Sequence, residues 1–414
     1  MSKYFKLINY SLFFIFSFFI STASHADALA QFTPVPQLTP SIAFQNYFRL
    51  KQMLAAYEAA TAKPWPILQD DRALKRGSRS KRVILLRERL RRTSDLTPQD
   101  DIGGEKFDAQ LADAVAVFQS RHGLRPDGVA GKNTILELNV SPENRAKQIK
   151  LNMARWYALI SQLGNRYILV NIPDYRLTLF ENNQQTLTMK VIVGKPDWPT
   201  PELTSMITRL ILNPYWDVPD LIARKDLVPK IIEDPNYLNA MEIKIFEHQE
   251  DNARQLSVHE IDWDYMRENG FPYHFRQEPG PKNSLGLVKF EFENKYHIYL
   301  HDTPAKDLFD RDERDLSHGC VRLEDPFALV TYFLKDHPTI DDMRIQDILA
   351  AGKTKYIRLP QPIPIIITYI TAWVDDAGVL QFRDDIYQHD NIVTQAMRKT
   401  NTAQEYREGI WQWT

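Results

Sequence analysis

Ser317-His318-Gly319-Cys320-Val321-Arg322-Leu323 is the stretch on which the reading of this chain turns. Cys320 is the only cysteine among 414 residues, so it has no intramolecular disulfide partner. A glycine precedes it, which lets backbone N–H groups approach a ligand closely. His301 lies 19 residues upstream, at the end of a run that alternates like a strand. Nucleophilic acyl transfer needs this set: a base for the thiol proton and amide donors for an oxyanion. A lone cysteine is more often a small buried hydrophobe. Its histidine and glycine neighbours favour the nucleophile here.

Upstream, the run from Tyr296 to His301 reads as a strand, with Tyr299 and His301 on one face and Asp302 on the other. That alternation argues against zinc, because His297 and His301 would be roughly 13 Å apart along a strand. His318 and Cys320 add no familiar ligand spacing, and no metal or other cofactor is expected. Val288, Phe290 and Phe292 alternate with Lys289, Glu291 and Glu293. Tyr167 to Ile172, Arg176 to Phe180 and Leu187 to Val193 also alternate, which predicts a mainly β domain. Asp325-Pro326 then opens a helix as N-cap and first-turn proline, so Cys320 lies on the connection between strands and helix.

The order His301…Ser317-His318-Gly319-Cys320-Val321-Arg322 resembles the catalytic signature of the L,D-transpeptidases, the YkuD-like family. The resemblance implies a β-sandwich catalytic domain with Cys320 as nucleophile and His301 as base, without a cofactor. Gly319 and Cys320 would supply oxyanion N–H groups, and His301 would lower the thiol pKa below its free value of ~8.5. Ser317 and His318 belong to the signature, with His318 either on the acceptor side or structural. Arg322 would bind a stem-peptide carboxylate or pair with Asp325, and Tyr299 and Trp216 would wall the cleft. The implied partners are donor and acceptor peptidoglycan stem peptides, with carbapenem-type β-lactams as covalent inhibitors. Three acceptors remain open at this point: a second stem, water or a protein lysine. So does an inactive, wall-binding structural protein.

A second resemblance covers residues 80–140. Phe118-Gln119-Ser120-Arg121-His122-Gly123-Leu124, Asp127-Gly128-Val129-Ala130-Gly131 and Thr134-Ile135 are similar to the small peptidoglycan-binding domain of wall enzymes. The same residues serve a three-helix core: Val83, Leu86 and Leu90 mark one helix face, and Leu111, Ala114, Val115 and Phe118 another. Wall binding and scaffolding are both compatible with that pattern.

Composition fits a secreted multidomain α+β protein. Hydrophobic residues make up 43% and charged residues 25%, and the net charge of −2 indicates neither nucleic acid nor an anionic membrane surface. Lys3 and Lys6, the apolar run Leu7 to Ile20 and Ser24-His25-Ala26 read as an export signal over 1–26. At 14 residues the run is short of the ~20 that span a bilayer, so a periplasmic, wall-associated protein with no lasting membrane span is expected. The remaining divisions are a helical N-terminal segment (27–79) that starts with Pro34, Pro36 and Pro40, a linking helix (141–166), the catalytic domain (167–345) and a β extension (346–414). In the extension, Lys355 to Leu359 and Ile365 to Trp373 read as strands, and Trp411 and Trp413 are expected to tuck against the body. Within the catalytic domain, 214–286 breaks the strand pattern with a helix from about Asp220 and proline-rich loops. Its wording is similar to that of larger family members with a substrate-capping subdomain, which predicts a lid.

Overall fold

A computed structural model describes residues 41–391, apart from 70–71, 251, 264 and 267–271. The expected export signal, the proline-containing start of the N-terminal segment, and Trp411 and Trp413 lie outside the described residues. Among those described, no helix is long and apolar enough to cross a membrane.

Five helices come first: α1 (Ile42–Ala60), α2 (Lys81–Arg92), α3 (Ala109–Arg121), α4 (Lys132–Asn139) and α5 (Pro142–Leu159). Helices α2 to α4 enclose their own core, in which Val83, Leu86, Leu90, Leu111, Val115 and Phe118 are buried together. This is the packing their spacing predicts. Ser80 and Asp108 cap α2 and α3 through their side chains, and Gly123 follows α3 at φ +71°, as a C′ glycine should. Arg87 is completely enclosed in this unit, paired with Asp101 and Asp108.

The β domain begins with β1 (Arg166–Asn171), β2 (Arg176–Glu181), β3 (Gln184–Gly194) and β4 (Leu203–Leu212). The interruption contributes β5 (Trp216–Asp217), β6 (Ile243–Phe246), β7 (Gln255–Leu256) and β8 (His274–Gln277). The domain resumes with β9 (Val288–Phe292), β10 (Leu300–His301), β11 (Asp315–Ser317), β12 (Val321–Leu323) and β13 (Lys355–Thr368). One sheet runs β11-β3-β12-β10-β9-β4-β13-β1-β2, and β2 also pairs with β3. The two faces of the expected sandwich are therefore halves of one sheet that closes on itself through β2 and β3, with β11 left as a short edge. Its interior holds Val288, Phe290, Leu300, Val321 and Leu323, joined by Val330 and Phe333 of α7 (Pro326–Leu334) and Ile345 of α8 (Asp342–Ala350).

Three local expectations change. The run from Tyr296 to His301 is mostly loop, with only Leu300–His301 in a strand. Asn294 accounts for this: it accepts from the backbone of Tyr296 and Ile298 and donates to the carbonyls of Phe292 and Ile298. Residues 355–359 and 365–373, which alternate like two strands, lie mainly in the single strand β13, and its register shifts between Arg358 and Ile363. That irregularity takes up Pro360 and Pro362, which have no N–H to donate. The inserted segment is also more regular than its loops suggest. It forms a four-stranded sheet, β5-β8-β6-β7, over a core that includes Leu227, Ile231, Ile245 and Phe275.

Helices α1 and α5 pack on the outer face of the β domain with the hairpin β14 (Ala372–Val374) and β15 (Leu380–Phe382). Asn152 of α5 is fully buried; its Oδ1 accepts from Thr371 N at 2.8 Å and its Nδ2 donates to Thr371 Oγ1 at 2.7 Å. Asn152→Ala orphans a buried N–H, so it should cost about 1–3 kcal/mol. A lower urea midpoint with an unchanged m-value would register that cost.

Candidate active site

Parallel pairing of β10 with β12 sets Leu300 opposite Val321 and His301 opposite Arg322. This brings the two ends of the sequence signature side by side. On its other flank His301 pairs with Lys289 of β9. Side chains directly opposite one another share a sheet face, so Arg322, His301 and Lys289 form a row outside the barrel core.

His301 is 4% exposed, and its Nδ1 lies 2.5 Å from the carbonyl of Asp302. A carbonyl can only accept, so Nδ1 carries the hydrogen and Nε2 keeps its lone pair. Burial, then the positive charges of Arg322 and Lys289, pull the imidazole pKa down to about 3; the Asp302 bond opposes them. Asp302 is itself held fast. Its carboxylate accepts from Leu287 N at 2.9 Å and sits 2.8 Å from Lys306 Nζ. Gly286, at φ +60°, leaves room for it, since a Cβ there would stand 2.2 Å from Oδ2.

Cys320 is half-buried, and burial pushes its thiol pKa up, against the pull of Tyr299, Lys289 and Arg322. The expectation that His301 lowers this pKa is reversed. An imidazole kept neutral supplies no positive field, and the described residues show no direct hydrogen bond between His301 and Cys320. The resting pair is a neutral thiol and a neutral base.

The connection around Cys320 is tightly fixed. Ser317 is 1% exposed, donates from Oγ to Cys320 O at 2.5 Å, and accepts from Gly319 N at 3.1 Å. It shapes the turn rather than lining a cleft. Gly319 adopts φ +108°, and Thr200 Oγ1 bridges Gly194 N and Gly319 O, both at 2.8 Å. The Gly319 N–H expected for an oxyanion is thus engaged with Ser317. The Cys320 N–H has no acceptor among the described residues.

His318 faces the inserted subdomain. The helical run over residues 220–233, α6, contains a π-helical turn at Ala223–Leu227. From it Asp226 Oδ2 comes within 2.8 Å of His318 Nε2. The contact is an ion-pair distance without good hydrogen-bond alignment. Trp198 packs edge-on against His318 at 4.9 Å, and Lys225 Nζ lies 5.1 Å from the Trp198 ring. Burial lowers the His318 pKa and Asp226 partly restores it.

Arg322 has no hydrogen-bond or ion-pair partner among the described residues, and its Nε is buried. Asp325, the alternative partner, caps α7 instead, accepting from Ala328 N at 3.1 Å. Tyr299 packs edge-on to His301 at 5.6 Å, with Lys289 Nζ 4.2 Å from its ring. Trp216 packs on the insert's own core, and Trp198 lies beside His318. Lys289, Trp198 and Asp226 were not anticipated. The alternation of 288–293 put Lys289 on an outward face, but only register brings it to His301.

Comparison with known proteins gives two family matches. Residues 165–340 match the family described as "L,D-transpeptidase catalytic domain" (YkuD), and residues 79–138 match "Putative peptidoglycan binding domain". A "Putative L,D-transpeptidase" of Haemophilus influenzae is 34% identical over 239 residues, covering 58% of this chain and 47% of its own. The chain thus spans about half the length of that curated relative. "General secretion pathway protein A" of Aeromonas hydrophila is 50% identical over 42 residues, 10% of this chain and 8% of its own. Among solved structures, an L,D-transpeptidase from Stackebrandtia nassauensis aligns over 73% of this chain and 96% of its own, at 12% identity and TM-score 0.26. One from Mycobacterium smegmatis aligns over 49% and 58%, at 14% and 0.23. Likeness at that level carries no functional weight.

The neutral resting pair makes an alkylation prediction. The iodoacetamide rate should rise with pH to a midpoint above the ordinary thiol value. Lys289→Met removes a charge that favours the thiolate, so alkylation at pH 8 should slow several-fold. A midpoint near neutrality, lost in His301→Ala, would instead reveal a preformed thiolate–imidazolium pair.

Proposed function

We propose that this protein forms 3→3 cross-links between peptidoglycan stems, a reading supported by the match of residues 165–340 to the YkuD L,D-transpeptidase catalytic domain and of residues 79–138 to the peptidoglycan-binding family. The observation that carries the reading is the row beside Cys320: an imidazole fixed in one tautomer, next to a half-buried guanidinium that has no partner of its own among the described residues.

The reaction runs through a thioester. Cys320 Sγ attacks the carbonyl after the third residue of a tetrapeptide stem while His301 Nε2 takes the thiol proton. The Cys320 N–H is free to stabilise the oxyanion, and Gly319 would join it if its bond to Ser317 yields. His301 returns the proton to the departing D-alanine. The side-chain amine of a second stem then attacks the thioester, which forms the C–N bond and breaks C–S. Arg322 offers a bidentate contact to a stem carboxylate. Tyr299 walls the cleft beside the thiol, and His318 lies on the side where the insert approaches. Water in place of the amine would give an L,D-carboxypeptidase, and a protein lysine a wall-anchoring enzyme.

The segment 214–286 acts as a cap in this reading, with Asp226 and Lys225 as its contacts to the catalytic motif. The unit at 80–140 would hold the enzyme to the wall, in keeping with export to the periplasm directed by residues 1–26.

Purified protein should release D-alanine from a tetrapeptide stem and yield cross-linked dimers. Cys320→Ala should abolish both while sedimenting with sacculi as before. A carbapenem should add one drug mass to the wild type and none to the alanine variant. Wild-type protein that binds sacculi but releases no D-alanine would favour the structural reading, and turnover by Cys320→Ala would move the nucleophile elsewhere.

The cap contact predicts a second effect. Asp226→Asn should shift the partition of the thioester from transfer towards hydrolysis by several-fold, since a loosened cap admits water. Asp226→Glu should recover part of the loss. A product ratio equal to wild type would leave the contact without a role in turnover.

A further inference from the structure

Next to Tyr299, whose side chain hydrogen-bonds the Cys320 thiol, a groove of about 950 Å³ crosses the outer face of the sheet. It starts at Tyr299 and ends at Tyr356 and Arg358, with the 293–298 loop as one rim. The strand register explains how it is lined. Arg209 of β4 pairs with Glu291 of β9 and with Arg358 of β13. Continuing the β9–β10 pairing by one residue sets Glu291 opposite Tyr299. Tyr299, Glu291, Arg209 and Arg358 thus form a second row, parallel to the row Arg322–His301–Lys289.

The charges in this row run from negative to positive. Burial works against ionisation of Glu291, but Lys289 and Arg209 outweigh it and hold the carboxyl below its ordinary range. Lys289 Nζ lies 2.8 Å from Glu291, and Arg209 pairs with the same carboxylate. Beyond them, the exposed Arg358 side chain has no hydrogen-bond or ion-pair partner among the described residues. From the thiol outward, a ligand meets a carboxylate and then two guanidinium groups.

We infer that this groove is the acceptor subsite, and that its ligand is an extended peptide with a free side-chain amine at one end and carboxylates along its length. Adjacent strands lie ~4.8 Å apart, so Arg358 is three intervals, ~14 Å, from Tyr299. A three-residue stem extends ~10 Å, and its end side chains cover the remainder. Glu291 receives the ammonium near Tyr299, while Arg209 and Arg358 receive the carboxylates. For transfer, the ammonium gives one proton to solvent and the neutral amine attacks the thioester carbon. C–N forms, C–S breaks, and His301 Nε2 carries the second amine proton to sulfur. This assignment rests on the transpeptidase reading and adds which stem lies on which flank of Cys320.

The test measures binding and transfer separately in the full chain. The probe is a tripeptide stem ending in meso-diaminopimelate, titrated into the protein by calorimetry and also supplied as acceptor with a tetrapeptide donor. Arg358→Glu should weaken tripeptide binding and raise the acceptor KM at least tenfold, with D-alanine release measured without acceptor as the reference. Arg358→Lys should recover most of the loss, which a purely structural role would not produce. Unchanged binding and acceptor KM would overturn the assignment. So would losses in binding, donor release and acceptor use that are all equal. If wild-type protein released no D-alanine at all, the transpeptidase reading would fail, and the binding titration would still decide the groove on its own.

Discussion

Two residues of parallel sheet carry the arrangement of this molecule. Strand β10 is only Leu300–His301 and strand β12 only Val321–Leu323. Their pairing brings the His301 and Cys320 segments together from positions 19 residues apart. Parallel neighbours cannot be joined by a tight turn and need a long crossover. Here the crossover runs through Phe309 and β11, and β11 is itself pinned to the end of β3. Such short strands could not hold register alone. Leu300, Val321 and Leu323 point into the closed core, and a slip by one residue would turn all three out to solvent. The burial of three aliphatic side chains therefore fixes where the imidazole stands.

The sequence made the chemistry legible because that chemistry sits in one contiguous run. Cys320, His318, Gly319 and Ser317 are adjacent, and the alternation around Val288–Phe292 marked the outward face correctly. The three-helix unit was legible for the same reason: its apolar positions repeat at helical spacing. Register was beyond the reach of sequence. Lys289 lies twelve positions from His301 in the chain and directly opposite it in the sheet. The strands of the insert also escaped notice, since two- to four-residue strands carry too little alternation to stand out from loops. Pro360 and Pro362 make β13 read as two strands, because a strand with a register shift looks interrupted.

The direction of the pKa shifts comes from the same enclosure. A thiol and an imidazole taken from water both favour their neutral forms. Lys289 and Arg322 favour the thiolate and disfavour the imidazolium. Burial, the largest influence on both groups, is what opposes an ion pair at rest, while the two cations favour negative charge on sulfur. A thiolate is the form of cysteine open to oxidation, and a thiol held neutral is protected from it.

The insert meets the barrel domain next to the signature. Asp226 reaches His318 from a π-helical turn, an irregularity that often marks a functional position in a helix. The insert has its own apolar core. It approaches the barrel domain through a carboxylate–imidazole contact, Asp226 to His318, and a cation–aromatic contact, Lys225 to Trp198. Contacts of these two kinds are individually weak when partly exposed. The orientation of the His301 ring does not depend on the insert, because the Asp302 carbonyl fixes it from within the barrel domain. In the proposed reaction the insert would therefore act on the surroundings of the thioester and not on the base.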